Sequence, residues 1–595
     1  MKKNQPLHYV RPINDLREML RDSIEEYSDR PAFLIKPEIG KPYAPVTFAK
    51  YGKDIEAFGS KLTEMGVVHD ARVTILAETR YEWYVTYLAT VTGMGIIVPL
   101  DKELPAIEIN SMLERAEISV LIYSSTMREK ALKAAEGLPT LKTLILMDNY
   151  KNEVEPFTSR EVGETLPPEY SWETLRKEGE QLLADGYREY LDCEIDPLEL
   201  RILLFTSGTT ARSKAVMHSH SSICSNLMAM CSMVYVGGDV CLSVLPLHHT
   251  YECTCGFLCQ VYCGNTVAEL EGLRYLTQNL EESKTTLILA VPLILEVLHK
   301  RIWKSIDKQG KRKKVEFALK LTRNLRKIGI DLRKKLFKDI HAALGGHMRL
   351  LIAGGAAIDP QVLKDLNDFG FLVIQGYGLT ECGPILALNR DVYFMHESAG
   401  LPLPGTIAEV FEPDEDGIGE FRSKGQNVML GYYGDEELTA QTLRDGWFYT
   451  GDYGYMTEHG FLIITGRKKN VIVTKNGKNI FPEELEALLN RNPEIAESIV
   501  SGVESRNGDF DIVVEIFPDE EAVQETLGKQ SVIEEEIYEL INSLVKNMNK
   551  DQPAYKKIKK ITLRHEPFEK NTSKKILRDY SKNKVPDQTS VRLTR

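Results

Sequence analysis

Cysteine and tryptophan are scarce: 9 Cys and 4 Trp in 595 residues. So few thiols cannot staple a chain of this length, and buried apolar surface must hold the fold. Basic residues are in the minority, with 74 Lys and Arg against 86 Asp and Glu and a formal net charge of −12. A negative chain has no general attraction to phosphate backbones, so nucleic acid is not an expected partner. Long apolar runs are missing as well. Two uncharged stretches, Tyr84 to Leu100 and Ala215 to Gly238, approach spanning length, but Gly, Pro, Ser, His and Asn interrupt them, which points to buried core. Met1 to Pro6 carries two lysines with no apolar h-region behind them. The expectation is therefore no secretory signal and a cytoplasmic location, with contact at the membrane periphery as its finer variant.

What is present is ordinary globular composition, 43% hydrophobic and 27% charged residues. At roughly 100–200 residues per domain the length allows about three or four structural units. Seven of the nine cysteines fall between Cys224 and Cys263. Their spacing matches no zinc or iron–sulfur signature. Cys255, Cys259 and Cys263 recur every four residues, like one apolar helix face, so they are expected as small core residues.

From Val73 onward, short β-rich runs alternate with helical patterns: Arg72 to Ala77, Glu82 to Thr92, Gly95 to Leu100, Pro105 to Ala116 and Ser119 to Tyr123. Ile202 to Phe205, Leu287 to Val291, Arg349 to Ala353 and Phe371 to Ile374 repeat the strand pattern. Alternation of this kind predicts α/β layers around parallel sheets. Between His299 and His347 lies a helical stretch rich in Lys and Arg, including Lys311 to Lys314 and Arg333 to Lys335. It fits a solvated face or a surface that meets anionic lipid or an acidic carrier protein. Beyond Gly466 the pattern predicts a small α+β domain, with a helix over Pro482 to Asn490, a strand over Ile512 to Phe517 and a helix over Val532 to Val545.

The sharpest motif is Leu204-Phe205-Thr206-Ser207-Gly208-Thr209-Thr210-Ala211-Arg212-Ser213-Lys214. A strand enters a cluster of hydroxyls around one Gly and ends on a Lys, which supplies N–H and O–H donors and a positive charge suited to polyphosphate. It is not a Walker A loop, because no Gly precedes Lys214 and no Ser or Thr follows it. The second motif is Gln375-Gly376-Tyr377-Gly378-Leu379-Thr380-Glu381. Its glycines permit close backbone approach, Tyr377 offers a flat face to a base, and Glu381 is a hard donor for Mg²⁺. Gly354-Gly355-Ala356-Ala357 is a third small-residue loop, and Tyr449-Thr450-Gly451-Asp452 and Gly466-Arg467 add a carboxylate and a guanidinium able to bind ribose hydroxyls.

In this order and spacing, the segments resemble the adenylate-forming superfamily of acyl-CoA synthetases, luciferases and peptide-synthetase adenylation domains. The resemblance runs from about residue 25 to residue 580. It implies a large N-terminal α/β region over 1–466, a hinge linker at 467–470, a mobile C-terminal domain over 471–580 and a flexible tail over 581–595. It also implies a reaction: carboxylate plus ATP gives acyl-AMP and pyrophosphate, and the acyl group then passes to a thiol.

Carried over by motif, Thr206, Ser207, Gly208, Thr209, Thr210 and Lys214 would hold the β- and γ-phosphates. Gly355 and Ala356 would border adenine, Tyr377 would stack on it, Thr380 would touch phosphate and Glu381 would ligate Mg²⁺. Asp452 and Arg467 would bind ribose, Lys469 would be the hinge, and Lys575 stands in the place of the adenylation lysine. Pro246-Leu-His248-His249-Thr-Tyr251-Glu252 resembles the carboxylate-gate segment, with His249 beside the acyl pocket and thiol tunnel. The basic insertion and this gate look most like bacterial long-chain fatty acyl-CoA synthetases, which implies fatty acid, ATP and CoA as substrates and Mg²⁺ as cofactor. Transfer to a carrier-protein pantetheine and a non-catalytic acyl- or nucleotide-binding paralogue are the alternatives. The chain departs from the family pattern at Ala211, Ala215 and Lys574, where Gly is usual, and at Ser213, where Pro is. Loss of Gly at a left-handed position costs roughly 1 kcal/mol.

Overall fold

The computed structural model describes residues 7–148, 157–206, 213–475, 477–505, 510–570, 576–578 and 591–592. Two nine-stranded sheets form the large region. In one, the strands Arg72–Leu76, Ile96–Pro99, Val120–Tyr123 and Thr143–Leu146 run parallel. The last three of them are buried along their whole length. Such uninterrupted apolar runs are what a parallel sheet covered on both faces requires. The other sheet carries the parallel strands Val240–Ser243, Leu287–Ala290, Leu350–Ala353 and Leu372–Gly378. Phe33 from this sheet meets Tyr84 of the Tyr81–Val91 helix with ring centroids 4.6 Å apart, and Phe257 lies 4.8 Å from Tyr84. These rings join the two halves through a common core.

The uncharged stretches are core, as expected. Tyr84 to Leu100 is helix followed by strand, and Ala215 to Gly238 is the strand Lys214–Ser219 followed by the helix His220–Met233. No helix among the described residues is long and apolar enough to cross a membrane.

A third sheet was not anticipated from the sequence. Ile407–Phe411, Gly419–Lys424, Leu443–Arg444, Trp447–Met456 and Leu462–Arg467 pair antiparallel. Its function is positional, because its register sets Asp452 directly opposite Arg467.

Beyond it lies an α+β unit with its own core, including Ile480, Leu489, Val514, Ile541 and Ile561. The three predicted elements are found at Pro482–Leu489, Phe510–Pro518 and Glu534–Lys550. Ile495–Glu504, Glu520–Leu527 and Ile558–Leu563 were missed. Two lysines interrupt Ile558–Leu563, so neither strand alternation nor an apolar run stands out there. The basic stretch is two long helices, Pro292–Lys308 and Arg312–Arg326, and two short ones, Arg333–Leu336 and Lys338–Ala342.

Candidate active site

Ligands in α/β proteins gather beyond the carboxyl ends of parallel strands. Here those ends lead into the segment resembling the carboxylate gate, Pro246 to Glu252, after Val240–Ser243, the Gly354-Gly355 loop after Leu350–Ala353, and Tyr377 within Leu372–Gly378. Gly355 adopts φ +84°, and a Cβ there would find its nearest neighbour, Val291 Cγ1, at 3.7 Å. Backbone conformation rather than space therefore demands Gly at this turn. At Gly354 space decides, since a Cβ would come within 2.7 Å of the Tyr251 ring. Tyr251 donates its hydroxyl to the Ile352 carbonyl at 2.9 Å, which ties the gate to this loop. Ala356 is exposed beside Gly355.

Tyr377 donates its hydroxyl to Asp452 Oδ2 at 2.6 Å, and Arg467 Nε lies 2.7 Å from Asp452 Oδ1. Asp452 is buried whereas the Arg467 side chain is half exposed. Burial first, and then the Asp452 carboxylate, push the Tyr377 hydroxyl well above its ordinary range, so it remains a donor. Glu420 organises the same corner: it accepts from the Gly451 amide at 3.0 Å and from Lys468 Nζ at 2.7 Å.

Glu381 accepts from the Tyr432 hydroxyl through Oε1 at 2.8 Å. Lys214 stands over the same Tyr432 ring, Nζ 4.9 Å from its centroid, and pairs in register with Thr206. The Lys214 ammonium and the Glu381 carboxylate thus meet on one tyrosine. His218 sets the backbone of this turn. Burial lowers its pKa to about 4, so it is a neutral ring whose Nε2–H donates to the Thr380 carbonyl at 2.6 Å. Its Nδ1 meets Ser222 Oγ at 2.9 Å.

In the gate, the His248 and His249 rings pack with centroids 4.0 Å apart. Burial, reinforced by the neighbouring His249, lowers His248 to about 3, although Asp101 Oδ2 lies 3.6 Å from its Nε2. His248 is therefore neutral. Lys469 was expected only as a hinge; its side chain is exposed, and its ammonium pKa is lowered by partial desolvation, then by Arg467, Arg578 and Lys214. The linker thereby adds a cation to the field around Lys214.

Ser207, Gly208, Thr209 and Thr210, with Ala211, lie outside the described residues, as do Lys574 and Lys575. Ala215 lies in the strand Lys214–Ser219, paired with Phe205. Its φ is negative, so the departure from Gly carries no left-handed strain there. The carbonyl of Ser213 accepts from Arg115 at 2.8 Å. His218, Glu420 and Tyr432 had no signal in local sequence, because long-range pairing brings them in.

The donor set fits a magnesium nucleotide. Glu381 Oε2 takes no hydrogen bond among the described residues, so a carboxylate oxygen, which a hard cation prefers, is spare next to Thr380.

An AMP-binding enzyme family model matches residues 20–433, and a model of the AMP-binding enzyme C-terminal domain matches 469–587. The chain is 28% identical over 528 residues to long-chain-fatty-acid–CoA ligase 6 of Mus musculus, covering 83% of this chain and 73% of that one. It is 29% identical over 557 residues to long-chain-fatty-acid–CoA ligase 5 of Rattus norvegicus, covering 88% and 78%. Its fold is similar to that of o-succinylbenzoate coenzyme A synthetase from Bacillus subtilis in complex with ATP and magnesium ion. There the TM-score is 0.69 at 21% identity, over 97% of this chain and 99% of that one.

Proposed function

The chain belongs to the AMP-binding enzyme family, and from that membership we propose that it is an AMP-forming long-chain fatty acid:CoA ligase. A fatty acid carboxylate oxygen attacks the α-phosphorus of ATP, forming acyl-AMP and releasing pyrophosphate. The thiol sulfur of CoA then attacks the acyl carbonyl carbon, forming the thioester and releasing AMP and the thiol proton. The similarity to long-chain ligases over more than four-fifths of the chain supports the substrate class.

The observation that carries the reading is two runs of contacts, Lys214, Tyr432, Glu381 and Tyr377, Asp452, Arg467, with Tyr377 and Glu381 four residues apart on one motif. On this reading Lys214, Thr206 and the following loop hold the outer phosphates. Glu381 would hold Mg²⁺, which when bound neutralises phosphate charge. Tyr377 stacks on adenine while its hydroxyl fixes Asp452 for the ribose, and Arg467 shares that task. Thr380 donates to phosphate, with His218 fixing its backbone. His249 borders the acyl carboxylate and Lys575 acts in adenylation from the C-terminal domain, which swings about Lys469.

For the basic helices we propose an anionic membrane surface rather than a carrier protein. Exposed Phe317 and Ile328, 68% and 71% accessible, stand among Lys and Arg, the mixture an interfacial helix uses.

Incubation with hexadecanoate, ATP, Mg²⁺ and CoA tests the reading. Acyl-CoA, AMP and pyrophosphate are expected in equal amounts, and fatty-acid-dependent ATP–pyrophosphate exchange is expected without CoA. Release of ADP, or preference for benzoate or an amino acid, would overturn it.

A further inference from the structure

Three thiols that the proposed activity does not use converge on one point. Cys231 lies in the His220–Met233 helix, Cys259 opens the short helix Cys259–Tyr262 that continues the gate segment's Tyr251–Leu258 helix, and Cys263 closes it. Cys231 Sγ is 3.4 Å from Cys259 Sγ and 3.5 Å from Cys263 Sγ, and all three sulfurs lie within 4.8 Å of one another. Cys231 and Cys259 are buried, while Cys263 is partly open and gives an entry path.

The convergence was hidden in the sequence. Of the four cysteines in Cys253 to Cys263, only Cys259 and Cys263 join the group. Cys255 points to Met230 Sδ, 3.5 Å away. The third sulfur comes from another helix 28 residues earlier. The expectation of buried core is met at Cys255 and Cys259, and Cys263 is only partly buried, but plain packing does not require three thiols to face one point.

We propose that Cys231, Cys259 and Cys263 form a trithiolate site for a soft, thiophilic cation, Cu(I) before Zn(II). Sulfur donors alone select such ions. Structural Zn(II) takes four ligands in a tetrahedron, and among the described residues no fourth His, Cys, Asp or Glu joins the group. A metal–sulfur distance of about 2.3 Å, as for Zn–S, sets sulfurs about 3.8–4.0 Å apart. The close pairs therefore widen by only about half an ångström. On binding, three S–H bonds break, three S–Cu bonds form and the protons leave to solvent, with no change of oxidation state.

One cation, Arg11, stands near the group, and it also pairs with Glu26 at 2.8 Å. The Arg11 guanidinium sits 5.2 Å from the Tyr262 ring centroid, and its charge acts on Cys263. The amides of Leu7 and His8 donate to the Ser232 carbonyl at 2.8 and 3.1 Å, laying the chain beside Cys231. A bound ion would pin the His220–Met233 helix to the end of the gate helix.

The test is titration of the reduced full-length protein with Cu(I) under anaerobic conditions against a chromogenic Cu(I) chelator, and separately with Zn(II). One Cu(I) per chain, an ultraviolet thiolate-to-copper band and a higher unfolding midpoint are expected. Substituting Cys231, Cys259 and Cys263 together by Ser should abolish all three, whereas Cys253→Ser and Cys255→Ser should retain them. If the triple variant fails to fold, Cu(I) should still protect these three thiols of the wild type from alkylation, read peptide by peptide. No stoichiometric uptake, uptake unchanged by the triple substitution, or protection of other cysteines instead would overturn the site. Tighter Zn(II) than Cu(I) binding would overturn the choice of ion.

Discussion

The Tyr377 hydroxyl hydrogen-bonds Asp452 Oδ2 at 2.6 Å while Arg467 holds the other carboxylate oxygen at 2.7 Å. Both oxygens are thus held in place, which on the proposed function orients them for the ribose. A hydrogen bond to a charged group is worth about 1.5–3 kcal/mol, and 1.4 kcal/mol is tenfold. Tyr377→Phe keeps the ring face and removes this bond, so the KM for ATP should rise about tenfold or more with a smaller change in kcat. Steady-state kinetics with ATP varied will check it, and an unchanged KM would show that the bond does no work in nucleotide binding.

Glu381→Gln preserves shape and the partner Tyr432, but removes the charge that a hard cation prefers. Adenylation should be nearly abolished at saturating Mg²⁺ while the unfolding midpoint hardly moves. Normal ATP–pyrophosphate exchange by this variant would remove Glu381 from the metal site.

The contrast between Glu381 and Tyr432 shows what sequence could deliver. Glu381 was legible because it sits one residue after Thr380 in a Gly-rich run, where chemistry and spacing coincide. Tyr432 lies 51 residues away and reaches the site only because Gly431–Tyr432 pairs with Lys214–Ser219. The parallel strands were legible as continuous apolar runs. The antiparallel sheet that carries Asp452 and Arg467 was not, since its strands mix polar and apolar residues without a sustained period, as in Trp447–Met456. Cys231 was invisible as a partner of Cys259 for the same reason: no local spacing encodes a contact between helices.

Glu252 is fully buried, accepts from Ser243 at 2.6 Å, and burial raises its pKa to about 8. Its folded-state pKa lies above the unfolded value of about 4.3, so between those values the folded state binds the extra proton. Stability is then full below the unfolded pKa and is lost as pH rises through about 8. Glu252→Gln should flatten part of that decline, with the unfolding midpoint falling less steeply from pH 5.5 to 8 than in wild type. Parallel curves would show that Glu252 is not neutral in the fold.

Lys311, Lys313 and Lys314 are exposed, whereas Arg312 pairs with Asp307 and stacks over Trp303. Reversing the three lysines to Glu and sparing Arg312 changes charge without touching that packing. Binding to vesicles containing phosphatidylserine should weaken, most at low salt, because exposed charges are screened over about 10 Å at 0.1 M. Activity with CoA and a soluble acid should not change. Equal vesicle binding before and after reversal would make this a solvated face.

Lys575 lies outside the described residues, but its proposed role makes the strongest demand on the two-domain mechanism. Carboxylate attack on the α-phosphate builds negative charge on the phosphoryl oxygens, and a Lys delivered there stabilises that transition state. Thiol attack needs open space for pantetheine, so the C-terminal domain must swing near Lys469 and carry Lys575 away. The half-reactions should therefore separate. Lys575→Ala ought to lower adenylation by a factor of about 10²–10³, comparable to removing one oxyanion donor. Supplied with synthetic acyl-AMP, the same variant should make acyl-CoA at near wild-type rate. If both half-reactions fall together in a folded protein, Lys575 does not have this role. If neither falls, the adjacent Lys574 becomes the residue to replace, and the register of the C-terminal motif shifts by one.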